Sequence, residues 1–232
     1  MRIPPEVGSV AIVLLGAFNP AILRPEWFAK SDLVTAEAAA NAEVQVIHRE
    51  IAIMRMDWVS IQSQTERFIA TIEVAPFIRV HDLVMRMYRD FLPHTPLWAL
   101  GINRRVEFNV KDHASQIRIG RTLAPPSAWG EWGQQIDKQF DEAGTKPHGG
   151  MASLTMREQR FEDRPKGFIN ARVEPSLRNL RTAVVVDIND HYEVEDKEKV
   201  DGANDIMTLL ERNFDDSIKR SEWIIDQVMA LA

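Results

Sequence analysis

Three stretches alternate apolar and polar residues with one outline: residues 102–108 (INRRVEF), 169–174 (INARVE) and 188–194 (INDHYEV). Successive side chains of a strand point to opposite faces. The pattern therefore predicts three strands whose core sides are Ile102, Val106 and Phe108; Ile169, Ala171 and Val173; and Ile188, Tyr192 and Val194. Their other sides carry Asn103, Arg105 and Glu107; Asn170, Arg172 and Glu174; and Asn189, His191 and Glu193. Arg104 and Asp190 intrude on the apolar sides. Such strands are expected to turn a solvated face to water, as antiparallel sheets do, or to present an Asn/basic/Glu lattice to a partner.

Elsewhere the periodicity is mixed. Residues 9–15 form an aliphatic run expected as a central strand, and Pro25 is placed to start a short helix ending near Lys30. Ser31 or Asp32 is expected to cap a second helix through the alanine-rich stretch to Ala42. Between Val44 and Val74 the alternation predicts three strands, VQVIHREIAIMRM, WVSIQSQ and RFIATIEV. Val80, Leu83, Val84, Met87 and Phe91 then fall on one helical stripe. Trp129, Trp132, Ile136 and Phe140 predict another helix after Pro125 and Pro126, with the tryptophans packed in the core. The glycine-rich residues 143–151 are the natural boundary, separating a half at 1–142 from one at 151–232, two units or one continuous domain. A second three-stranded meander follows, at residues 152–161, 167–173 and 182–194. A long helix from Ala203 closes the chain, with Met207, Leu210, Phe214, Ile218, Ile225 and Val228 on its stripe. The fold class expected is α+β: antiparallel sheet built from two three-stranded meanders, helices packed on one face, and the halves sharing one grammar.

Composition narrows the function. With 232 residues and 45% hydrophobic content the chain buries a substantial core. A net charge of -6 argues against nonspecific nucleic-acid binding. The absence of cysteine removes disulfides, thiolate chemistry and cysteine metal sites. The apolar run SVAIVLLGAF is too short to span a bilayer, so a cytoplasmic location without membrane attachment is expected. No phosphate-binding loop, dinucleotide glycine pattern or nucleophile elbow occurs. The 6 histidines stand singly, with no local metal-ligand spacing.

Two chemical candidates remain. The carboxylates of VVVDINDHYEVEDKEK, with Asp187, Asp190, His191, Glu193 and Glu195, are of the type that holds a hard divalent cation, as a metal-dependent hydrolase or nuclease would need. The Glu195-x-Lys197 pair, however, follows the strand rather than lying within it, which fits a solvated acidic turn. An RNA-binding module would use Arg104, Arg105, Arg172 and Arg181, with Phe161 and Phe168 for stacking. The basic run also includes Arg164, and pairing with Glu158, Glu162 and Glu174 across strands is the plainer role for such arginines.

FNPAILRPEWF at residues 18–28, TPLWALGINRRVEF at 95–108 and VDINDHYEV before the closing helix resemble a sporadically distributed group of uncharacterised bacterial proteins. The resemblance implies no catalytic set, and the group's patchy distribution implies mobile or antiviral-defence loci. The function expected is thus a non-catalytic interaction protein or accessory subunit of a larger bacterial assembly, without cofactor or metal. Its partner would be another protein or further copies of itself, met through the Asn/basic/Glu faces or through Trp223 and Ile224 near the end of the closing helix.

Overall fold

The computed structural model describes residues 2–143, 147–160 and 165–232, without side chains for 139–143, 147 and 148. Residues 144–146 of the expected boundary, and Phe161, Glu162 and Arg164 of the basic run, lie outside the described residues.

The strands are β1 (Val7–Gly16), β2 (Glu43–Ile47), β3 (Ile51–Met56), β4 (Val59–Gln64), β5 (Arg67–Ile72), β6 (Leu97–Asn109), β7 (Leu154–Gln159), β8 (Gly167–Pro175) and β9 (Ala183–Glu193). They form one nine-stranded sheet in the order β2-β3-β4-β5-β1-β6-β9-β8-β7, every neighbouring pair antiparallel. The helices are α1 (Pro25–Lys30), α2 (Ala36–Ala40), α3 (Ile78–Arg86), α4 (His113–Leu123), α5 (Gly130–Ala143) and α6 (Asn204–Met229). The chain is α+β, with a long C-terminal helix.

Reading outward from the centre, β1, β5, β4 and β3 lie on one side and β6, β9, β8 and β7 on the other. Each half runs central strand, helices, meander, helix. The two halves thus share one order of elements on either side of the β1–β6 pair, where Ile12 faces Ile102. Among the described residues the edge strand β2 has no counterpart. It exists because VQVIHREIAIMRM is a hairpin and not one strand: the polar His48-Arg49-Glu50 forms the turn, closed by the His48 amide donating to the Ile51 carbonyl at 2.7 Å. The first half thus has four meander strands, one more than the alternation predicts.

Alternation decides which side of the sheet is covered. Val10, Ile12 and Leu14 of β1 are fully buried and belong with Met54, Ile61, Phe68, Leu100 and Ile102 to one apolar cluster, closed by Phe28, Val80, Leu83, Leu210 and Phe214 from the helices. Val106, Phe108, Ile169, Val186 and Ile188 form a second with Ile119, Ile225 and Val228. Along α6 the positions 206, 210, 214, 217, 221, 225 and 228 are buried, which is the spacing of one helical stripe.

Local chemistry moves some helix limits. Asp32 adopts φ 52 just beyond α1, so it terminates that helix, and α2 is capped by Thr35, whose Oγ1 accepts from the Ala38 amide at 3.1 Å. Helix α4, which the apolar pattern does not announce, begins at the Asp112 cap and buries Ser115 and Gln116 beside Ile119. Its Gln116 side chain donates to the Ala183 carbonyl at 3.0 Å. The tryptophan pair is not core: Trp129 and Trp132 are 57% and 58% exposed, edge to face at 5.4 Å. A Cβ on Gly133 would lie 1.8 Å from the Pro126 carbonyl oxygen, so the turn before α5 folds tightly back on it and both rings face outward.

Candidate interaction face

The three Ile-Asn strands are neighbours, and their registers coincide. Asn103 of β6 stands opposite Asn189 of β9, and Asn189 opposite Asn170 of β8. The row continues to Arg157 at the β7 edge and, through Ala11, Thr71, Ser60 and Arg55, to Glu43 at the β2 edge. It lies on the side away from the α3 and α6 helices.

Two features set the amides in place. The Oδ1 atoms of Asn103 and Asn189 are enclosed and have no hydrogen-bond partner among the described residues, and each lies 3.2 Å from where a Cβ on Gly101 would stand. Any side chain at 101 would crowd both. Asn170 accepts from Arg157 Nε at 2.9 Å. A cavity of about 280 Å³ opens over the row, lined by Asn103, Thr155, Asn170, Arg172, Asp187 and Asn189.

The next row is ionic. Asp187 stands between Arg105 and Arg172 and accepts from both on one oxygen, Oδ2, at 2.6 and 2.9 Å. Arg172 also lies 3.5 Å from Glu174. The hydrogen bond to Asp187 holds the Arg172 guanidinium above its ordinary value, outweighing some desolvation. On the opposite side of the Asn row, His191 bonds Glu193 at 3.0 Å and stacks on Phe168 at 4.7 Å. Arg157 covers Phe168 from β7 at 3.9 Å. The ring is thus flanked by a side chain from each neighbouring strand.

All nine lattice residues expected from the alternation stand on this open side, none of them buried. The two intruders go to the core side. Asp190 is 1% exposed; it forms an ion pair with Arg160 and accepts from the Tyr192 hydroxyl at 3.1 Å. Arg104 is 2% exposed. Its Nη1 donates to the carbonyls of Ser9 and Arg105 at 3.1 and 3.0 Å, its guanidinium lies 4.7 Å from the Phe77 ring centre, and burial lowers its pKa.

The carboxylates of the acidic segment do not converge. Asp187 and Glu193 face the open side, Asp190 the core, and Glu195 a cleft beside the start of α6. Among the described residues no group of three His, Asp or Glu is placed to hold a metal ion. The four arginines of the nucleic-acid candidate also part: Arg104 is buried, Arg105 and Arg172 clamp Asp187, and Arg181 sits in the turn between β8 and β9. Trp223 is 62% exposed on the outer side of α6, while its neighbour Ile224 packs against the second apolar cluster. Among the described residues no helix is long and apolar enough to cross a membrane.

Periodicity alone misses the inter-strand register, the Arg160 partner of Asp190, and Gly101. The repeated Ile-Asn outline was itself the signal for the register, since three strands that share a pattern can align it side by side. Neither a protein-family model nor a curated protein matches the chain.

Proposed function

We propose that the protein is a non-catalytic interaction subunit of a larger bacterial assembly, acting in the cytoplasm and docking a protein partner on the open face of its sheet. The resemblance noted above favours an assembly of antiviral-defence type. The observation that carries this is the Asn103–Asn189–Asn170 row: three amides in register on adjacent strands of the open face, below a cavity of about 280 Å³. Amides aligned on adjacent strands offer donors and acceptors at a fixed spacing, so a pre-formed row of this kind suits a partner's polar groups.

Charge favours protein over nucleic acid as that partner. On this half of the face Arg105, Arg157, Arg172 and Lys166 stand among Glu107, Glu174, Asp187 and Glu193, four cations against four anions. Phosphate binding needs cations free to neutralise it, and here Arg105, Arg172 and Lys166 already face carboxylates. Base stacking needs an open aromatic face, and Phe168 is flanked by His191 and Arg157.

A photo-crosslinking residue at position 170 tests this in the native cell, with one at Leu177, 91% exposed in the β8–β9 turn, as control. A protein adduct specific to position 170 and lost in Asn189→Ala is expected. Adducts to RNA, or equal yields from both positions, would overturn it.

A further inference from the structure

Two stretches singled out in the sequence, residues 18–28 and 95–108, meet where β1 ends and β6 begins, around a cavity of about 330 Å³. Phe18, Ile22 and Leu23 line it from the first stretch, and Tyr88, Phe91 and Leu92 from the segment after α3. That segment is a π-helical turn over residues 87–91, closed by the Leu92 amide donating to the Met87 carbonyl at 2.8 Å. Such turns are rare and fall frequently at functional sites.

Backbone contacts fix the walls. The Ala17 amide donates to the Pro96 carbonyl at 2.9 Å, and the Thr95 amide to the Leu92 carbonyl at 3.1 Å. A Cβ on Gly16 would stand 2.5 Å from the same Pro96 oxygen and 3.0 Å from the Phe18 ring, so the end of β1 approaches as closely as a glycine allows. Phe18 and Tyr88 lie edge to face at 6.1 Å, and Phe91 meets Trp27 in the same way at 6.1 Å. The cavity is therefore pre-formed, as ligand sites usually are. Ile22 and Phe91, 37% and 41% exposed, leave apolar surface open to solvent beside it.

The lining defines what fits. Among the described residues around the cavity there is no carboxylate, ammonium or guanidinium, and burial holds the Tyr88 pKa well above the ordinary 10.0, so that side chain stays neutral too. An ionised group would lose hydration there without gaining a partner. Three of the lining side chains are aromatic rings, which favour a further ring packed edge to face or offset. Asn19, His94 and Thr95 supply a few polar groups, the sparse orienting contacts of a small-molecule site. We propose that this cavity binds a small uncharged aromatic molecule of one or two rings. Its volume falls at the lower end of the range for such sites, about 300–1,000 Å³. It shares no lining residue with the cavity over the asparagine row, so it stands independently of the docking proposed above.

Calorimetric titration of the full chain with indole, and with phenol against cyclohexanol, tests this. Indole is expected to saturate one site per chain with a dissociation constant below about 1 mM. Phenol and cyclohexanol have the same number of heavy atoms, and the aromatic ring should bind about fivefold more tightly. Ala17→Trp, at an exposed lining position, fills the space, and Phe91→Ala removes a wall. Each should weaken indole binding at least about tenfold in a chain that circular dichroism shows to be folded, whereas Trp223→Ala, on the outer side of α6, should bind as the wild type does. Absence of saturable indole binding, equal affinity for phenol and cyclohexanol, or unchanged affinity in either folded lining variant would each overturn the proposal and make the cavity a packing gap.

Discussion

Asp190→Asn should destabilise the chain far more than a one-atom change at an ordinary site. Asp190 and Arg160 have side chains 1% and 2% exposed and form an ion pair beneath the sheet. Asparagine keeps the shape and can still accept from Tyr192, 3.1 Å away. It removes the charge that balances Arg160, whose other contacts among the described residues include the His191 carbonyl at 2.5 Å and the Tyr192 ring at 3.7 Å. Breaking one side of a buried pair costs about 3–5 kcal/mol, because the other charge stays desolvated and unpaired. For a domain of this size 1 kcal/mol corresponds to roughly 2–4 °C, so a fall of about 6–20 °C in Tm is expected. Arg160→Met in the Asp190→Asn background removes the stranded charge, and should recover most of that loss, since an apolar replacement of a whole buried pair is often neutral or better. Thermal and urea denaturation of the wild type, both single variants and the double variant close a cycle whose coupling should exceed about 3 kcal/mol, because either single variant strands a charge that the double variant removes. A loss below about 1 kcal/mol for Asp190→Asn would refute the reasoning, showing that Arg160 finds another acceptor or reaches water.

The contrast between Arg160 and Arg104 also explains what was legible in the sequence. Alternation places the face of every residue in β6, β8 and β9, because one face is buried and a one-residue slip would invert all of them. It therefore identifies Arg104 and Asp190 as intruders on the core side. It does not show how each is accommodated, which depends on residues distant in sequence. Asp190 is met by Arg160 from the end of β7. Arg104 is met by absence: a Cβ on Gly8 would lie 3.0 Å from its Nη1. Local signals resolve hairpins and caps only when they interrupt periodicity, which His48-Arg49-Glu50 does not, being short and polar between two matching apolar runs. Helix α4 was hidden for the opposite reason. Its buried side includes Ser115, Gln116 and Gly120, so it has too few apolar residues to mark a stripe. The asparagine row was legible as a motif, and its alignment across strands was fixed only by pairing.

Gly167→Ala should destabilise by more than about 2 kcal/mol in urea titration, since φ is 149° there and the new Cβ would meet the His191 carbonyl at 1.9 Å; tolerance would mean the β7–β8 connection yields. Gly101→Ala should cost little stability yet weaken crosslinking from position 170, as both amide oxygens must shift a few tenths of an ångström from 3.2 Å contacts; unchanged crosslinking would detach Gly101 from the face. Asp112 should add an acid limb to the stability curve: the Ser115 amide, bonded at 2.8 Å, holds its carboxylate below the ordinary 3.8. Its contribution is present above the unfolded-state value and lost as pH falls through the lower folded value, so Asp112→Asn, which still caps, should flatten that limb without unfolding the chain. Arg104→Met should behave unlike any change at Asp190. Among the described residues no carboxylate forms an ion pair with Arg104, and only the charge of Glu222 opposes the burial that lowers its pKa. Among the described residues its Nε has no acceptor, so an apolar side chain of similar length removes a desolvated charge without stranding another. Stability should hold within about 1 kcal/mol or rise, whereas Arg104→Ala, which empties the largest fully buried side chain, should lose about 2–5 kcal/mol on the scale of large-to-small core changes. If Met were as costly as Ala, the two carbonyl bonds of Arg104 at 3.0 and 3.1 Å would outweigh its desolvation, and Gly8 would then be small in order to keep the charge in place.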